Sequence, residues 1–376
     1  MWLVAIIMAH KPNPGDEISP QELAQALLED YNSLKSISPE HAVEKYVESR
    51  DKISKNTRSE YERKLGYFLD YCEKIELEDL NELGGREIDG FEKWRRNESS
   101  DKVDSLSNNT MRDDLYLFRC FLTYLEKIEG VPRRIAEKVD IPKLDDGEGI
   151  RDVELAIKRL KRILEHLEKY NYASREHVEI AIVAECGRRL GGVHSLDLED
   201  AHLDGPRPYL QFSHHNDGRT RLKNEEKGEE QVNISTDLAG LLKDYIKTNR
   251  VEKAIGGRKP LITTSYGRVG KSTVRSDFYS WTRPCKIDEE CPEGRNPAEC
   301  NAASCKNNAS KCPASEAPHA ARHGYLTEML RKGVPKEILS DRCDITREIL
   351  IEHYDERTPE EKRDERWDEL KDKGAI

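Results

Sequence analysis

No stretch of this chain is apolar for long enough to cross a bilayer, which takes about 20 residues. The apolar start, Met1-Trp2-Leu3-Val4-Ala5-Ile6-Ile7-Met8, is far too short and has no basic residues ahead of it. Neither a membrane span nor a secretory signal is expected, and Met8 reads as the natural start. Positive charge is also in short supply: 62 Lys and Arg face 73 Asp and Glu, a net charge of −11. That excludes a uniformly basic surface but not a local basic patch, which is what binding to phosphates requires. With 36% charged residues and a mean hydropathy of −0.83, the chain reads as a hydrated, cytoplasmic protein suited to a salt-rich interior. Its nine cysteines are an odd number, and a disulfide framework is not expected in a cytosolic chain of this size. No repeat of solenoid length is present.

What is there falls into two helical regions. Residues 1–37 read as an N-terminal arm. Ser38-Pro39 opens a helix, with Ser as cap and Pro in the first turn. Tyr61, Leu65, Phe68, Leu69 and Cys72 lie at helical spacing, as do Ile88, Phe91 and Trp94. A fourth helix is expected from Thr110, with Asp113 completing a capping box. Together these predict a compact all-α domain over 38–140, its aromatics in the core. The cluster Lys93-Trp94-Arg95-Arg96 reads equally as a solvated face or a set of phosphate contacts. Pro, Gly and acidic residues make 141–152 a linker. A second domain, 153–357, starts with a helix rich in Lys and Arg. It continues through a helix from His177 to Cys186 that ends at Gly187, a strand at Tyr209–Phe212, a hairpin over 221–234 with its turn at Asn224–Gly228, and a helix from Leu238 to Asn249. A charged tail, 358–376, reads as helical.

Chemistry concentrates at the end. His319 and Arg322, three apart, share a helix face, and Tyr354 follows. A cation, a proton-transfer group and a phenol together suit attack of the phenol on a phosphodiester. A phenol has a free pKa near ~10 and must lose its proton to attack. Earlier in the chain Arg189 follows a Gly turn, and Lys223 stands on the hairpin.

Taken in order, these boxes resemble the tyrosine recombinase (phage integrase) family, and among its members the integrases of salt-loving archaea. The resemblance spans residues 38–358. It implies a mainly α fold with a small antiparallel sheet, in which a helical (SAM-like) core-binding domain precedes the catalytic domain and the two clamp duplex DNA. Cys186-Gly187-Arg188-Arg189 stands where the family has Thr-Gly-Leu-Arg. This makes Arg189 the first catalytic arginine and Arg188 a decoy. Lys223 fits the hairpin lysine, with Lys227 the alternative. His319, Arg322 and the following His323 match the second box, and Tyr354 is the nucleophile. The family's acidic residue after the first arginine is Gly192 here, and its late His or Trp is displaced, with Asp341 or Arg342 as stand-ins. The implied activity is metal-independent strand cleavage and rejoining of the type IB topoisomerase kind, with four protomers at synapsis. A relative that binds DNA but has lost catalysis is the alternative. Lys93, Arg95, Arg96, Arg219, Arg221 and Lys227 are the expected DNA contacts.

One segment lies outside that pattern. Residues 285–312 hold Cys285, Cys291, Cys300, Cys305 and Cys312 among Pro, Asn and Gly. Such a loop cannot bury a core. Thiolates around a structural Zn²⁺ would order it; a reduced, flexible loop is the other reading.

Overall fold

The computed structural model describes residues 34–101, 103–144, 153–217, 220–355, 357–372 and 374–375. The arm over 1–33, the linker from 145 to 152 and Arg219 lie outside these. The chain divides into two compact units, Met1–Ile150 and Arg151–Ile376.

The first unit holds α1 (Pro39–Glu48), α2 (Lys55–Lys74), α3 (Gly85–Asn97) and α4 (Asn108–Lys127). A serine caps three of them. Ser38, Ser54 and Ser107 accept from the backbone N–H of His41, Thr57 and Thr110 at 3.3, 3.1 and 3.3 Å. This corrects the expected start of α4: Ser107 takes the cap, so the helix begins ahead of Thr110. Phe68, Phe91, Phe118 and Phe121 meet in the centre, with Phe68 and Phe118 ring centroids 4.7 Å apart. Each such ring contributes about 1.5–3 kcal/mol by leaving water.

The second unit begins with α5 (Val153–Tyr170), α6 (Arg175–Cys186) and the short α7 (Leu190–Ser195). Between α6 and α7, Gly187 turns the chain at φ +61°, where an added Cβ would stand 2.3 Å from the Tyr325 ring. Strands β1 (Ala201–His202), β2 (Tyr209–Phe212) and β3 (Glu230–Asn233) form one antiparallel sheet in that order. Leu210 opposes Val232 in its register, and both are buried. The hairpin expected over 221–234 is corrected here. Residues 221–224 form no strand and 225–228 make a 3-10 turn, so β2 pairs with β3 across a long excursion. The charged run Glu225-Glu226-Lys227 offers a strand no buried face, and Glu225 sits at φ +54°.

Helix α8 (Thr236–Thr248) follows, then a small pair β4 (Thr263–Thr264) and β5 (Gly267–Arg268) that the sequence pattern did not suggest. Next come α9 (Lys271–Trp281), the four-residue α10 (Asn301–Ser304), α11 (Pro318–Arg331), α12 (Lys336–Cys343), α13 (Arg347–Tyr354) and α14 (Pro359–Asp372). The main core lies under the three-stranded sheet among α5, α6 and α8. A separate cluster of Leu326, Leu330, Leu339, Cys343, Ile345, Leu350 and Tyr354 packs α11, α12 and α13 together. No described helix is long and apolar enough to cross a membrane.

Candidate active site

The Gly187 turn delivers two arginines in succession and separates their roles. Arg188 is 2% exposed; it stacks 4.6 Å from the Phe212 ring centroid and donates to the carbonyls of Gly228 and Arg342. Its charge serves the fold. Arg189, the residue ahead of α7, instead reaches Asp344, donating to its carbonyl at 2.6 Å and its carboxylate at 2.7 Å.

Pro318 starts α11, which places His319, Arg322 and His323 on its first turns. Arg322 is 2% exposed and donates one guanidinium nitrogen to the carbonyls of Gly187 at 2.9 Å and Cys343 at 2.6 Å. It thereby ties the Gly turn, α11 and the end of α12 to one point. No carboxylate forms an ion pair with it among the described residues. Burial and the nearby Arg189 both lower its proton affinity, while the Cys343 thiol and the Tyr354 phenol raise it.

Tyr354 ends α13. Its ring packs 4.5 Å from the His323 ring, and its backbone carbonyl accepts from Thr327 Oγ1 at 3.4 Å. His319 is held below the ordinary imidazole value by desolvation, then by Arg322, His323, Arg189 and Lys223. The residue is exposed as a whole, so the four charges are the firmer cause; all act in the same direction. Lys223, itself exposed, is therefore within electrostatic reach of the same spot. The structure brings together Arg189, Lys223, His319, Arg322, His323 and Tyr354.

It does not bring the two expected stand-ins. Arg342 is spent on the Tyr325 hydroxyl at 2.7 Å and on the carbonyls of Asn233 and Glu185 at 2.8 and 3.2 Å. Asp341 is exposed and meets Arg188 through its carbonyl at 3.5 Å. The carboxylate that does reach Arg189 is Asp344, which the sequence reading missed. It follows α12 at φ +53°. One carboxylate oxygen takes Arg189 and the other takes Asn224 Nδ2 at 2.6 Å. A residue that closes a helix in the left-handed region is most often Gly or Asn. An Asp just after Cys343 was the available signal.

The expected DNA contacts divide. Lys93 is exposed, paired with Asp89 at 2.6 Å. Arg95 is a correction: it is 4% exposed, bound to Asp114 at 2.6 Å and stacked 3.7 Å from the Tyr67 ring centroid, so it cannot reach a phosphate. Arg96 is half-buried and donates to Asn108 Oδ1 at 3.0 Å. Arg221 pairs with Glu225. Lys227 is exposed on an open groove of about 930 Å³ shared with Lys223, Asn224, Asp344 and several glutamates.

Two groups of ligand-type side chains remain. Asp197, Asp200 and His215 lie within 4.8 Å of one another. Arg258 and Arg268 hold the two oxygens of Asp197 at 2.5 Å each, which accounts for the cluster as an ion-pair network. In the insertion, Cys285, Cys291, Cys300 and Cys312 line a single cavity of about 20 Å³, while Cys305 is exposed and takes no part in it.

The architecture, a helical unit followed by a helical unit with a small antiparallel sheet, is a fold shared with solved integrases, and the resemblance seen in the motif boxes is borne out. No family model matches the chain. A probable integrase/recombinase protein of Methanocaldococcus jannaschii is 24% identical over 298 residues, covering 77% of this chain and 78% of the relative. The Tn1549 transposon integrase, solved with circular intermediate DNA, matches 88% of this chain and 99% of its own at a TM-score of 0.62 and 14% identity. A lambda integrase dimer bound to a COC′ core site matches 95% of this chain and 86% of its own at a TM-score of 0.56 and 11% identity.

Proposed function

We propose that this chain is a site-specific DNA recombinase that cuts and rejoins strands through a 3′-phosphotyrosyl intermediate. The observation that carries the reading is Arg322: a guanidinium 2% exposed, with no ion-pair carboxylate among the described residues, and with a phenol and a second arginine nearby. A buried, uncompensated cation is costly, and a bound anion would offset that cost. A strongly perturbed buried charge of this kind marks a candidate functional site.

A backbone phosphate in the pocket receives paired donors from Arg189 and Arg322, and their charge opposes the negative charge that grows in the pentacoordinate transition state. The Tyr354 oxygen attacks phosphorus as His319 accepts the phenol proton. The bond from phosphorus to the 5′ oxygen breaks, and Lys223 supplies that oxygen with a proton. The phosphotyrosyl bond keeps the energy needed for rejoining when a second strand's 5′ hydroxyl attacks it. The guanidiniums supply the charge stabilisation, so the step as written draws on no metal. Double-stranded DNA is the partner, and strand exchange between two duplexes calls for four protomers. The catalytically impaired alternative is not favoured, since the chain keeps both arginines, the lysine, the histidine and the phenol that the step needs, with Arg189, Arg322 and Lys223 all acting on His319.

The test is covalent capture. The chain is incubated with a library of nicked duplexes, whose cleavage releases a short fragment bearing a free 5′ hydroxyl and traps the adduct. The wild-type chain should shift to a DNA-linked species that survives denaturation. Tyr354→Phe should give none while still binding duplex. Adducts formed by the Phe variant would remove Tyr354 as the nucleophile.

A further inference from the structure

The segment between α9 and α11 has almost no core of its own. Within residues 285–312 the buried apolar side chains are Ile287, Ala302 and Ala309, too little surface to order it. Yet its ends are cinched: Thr282 Oγ1 accepts from the Glu316 N–H at 2.7 Å and donates to the Glu316 carbonyl at 3.1 Å. Four of its five cysteines, far apart in sequence, line one small cavity, and the fifth, Cys305, faces solvent.

We propose that Cys285, Cys291, Cys300 and Cys312 bind one structural Zn²⁺, which fixes the insertion immediately ahead of the helix carrying His319 and Arg322. An all-cysteine structural zinc site holds four thiolates in a tetrahedron at about 2.3 Å, and four thiols line this one cavity. Four thiolates around one dication leave a net negative charge. Arg283, buried and donating to the Ala302 carbonyl, and Arg295 line the same cavity and would balance it. The sulfurs are not drawn fully together, since no three of them lie within 4.8 Å of one another. The metal therefore has to tighten the segment as it binds, coupling binding to local folding as such sites commonly do. This assignment does not depend on the recombinase reading.

The experiment uses the full chain purified without chelator or immobilised metal. Elemental analysis should find one zinc per chain, retained in Cys305→Ser and lost in Cys300→Ser and Cys312→Ser. Should those variants aggregate, the wild-type chain reloaded with Co²⁺ should show the intense visible bands and thiolate-to-metal charge transfer of a tetrahedral all-sulfur site. Zinc should also slow proteolysis within 285–312. No stoichiometric zinc together with no cobalt–thiolate bands overturns the proposal. So does loss of the metal in Cys305→Ser, or disulfides among the four cysteines by mass spectrometry. Tyr354→Phe should keep its zinc whether or not the wild-type chain forms DNA adducts.

Discussion

Arg95 in the first unit and Arg322 in the second are both buried, and the two are handled in opposite ways. In the first unit Arg95 is neutralised on the spot by Asp114 at 2.6 Å, with Lys64 3.4 Å from the other oxygen of that carboxylate. In the second, Arg322 is buried at least as deeply but rests on carbonyls and a phenol, with another arginine nearby. Paired, the charge holds a fold together. Left without a counter-ion beside a second arginine, it would favour an anion arriving from outside, as the proposed function requires.

Substitution should break this comparison along different axes. Arg322→Ala should lower adduct formation by about 10²–10³-fold, the usual loss when a preorganised charge is removed from a transition state. Trapped adduct per unit time on the captured substrate measures it. Arg322→Met should fall as far in activity yet unfold in urea no more easily than wild type, because it removes an uncompensated buried charge. Arg95→Met should do the reverse. Stranding Asp114 costs about 3 kcal/mol, at the low end of such losses because Lys64 remains, and denaturant titration would show it in the first unit's transition. If Arg95→Met proved harmless to stability and Arg322→Met ruinous, the contrast would be inverted.

Two smaller effects sharpen it. His319 lies below the ordinary imidazole range in the DNA-free chain, so it is neutral at pH 7 and gains its proton only as the pH falls below about 6.5. The acid limb of kcat/KM for adduct formation, which reports the free enzyme, should therefore lie below that value and disappear in His319→Gln. A limb centred above pH 7 would contradict the arrangement of cations around it. Asp344→Asn removes a carboxylate that competes with phosphate for Arg189. The pair is partly exposed and worth at most about 1 kcal/mol, so affinity for uncleavable duplex in Tyr354→Phe should rise by no more than about fivefold. Weaker binding would instead make Asp344 a positioner of Arg189.

The candidate catalytic residues were legible because each sits in a short pattern that local geometry enforces: a Gly turn ahead of Arg189, and three-residue helical spacing for His319 and Arg322. Tyr354 was legible through its position after them. Arg95 was misread although a signal existed. Ile88, Phe91 and Arg95 fall at i, i+3 and i+7, one face of α3, so the periodicity that placed the phenylalanine inside placed the arginine there too. Asp344 was missed for a different reason. Its role depends on a left-handed turn that aims a short carboxylate across to a segment more than a hundred residues earlier, and no periodicity encodes that. The hairpin failed where charge outweighed pattern: a Glu- and Lys-rich run has no face to bury, so the strand partner came from further along.

Leu339 and Leu350 clamp the tyrosine's helix onto its own chain, beside the arginine it serves. On the proposed function, a subunit so built would carry both arginines and the tyrosine on one chain. Mixing an arginine-dead chain with a tyrosine-dead chain should therefore restore no cleavage, and an assembly on DNA would have to control timing by how its members press on one another, rather than by sharing parts.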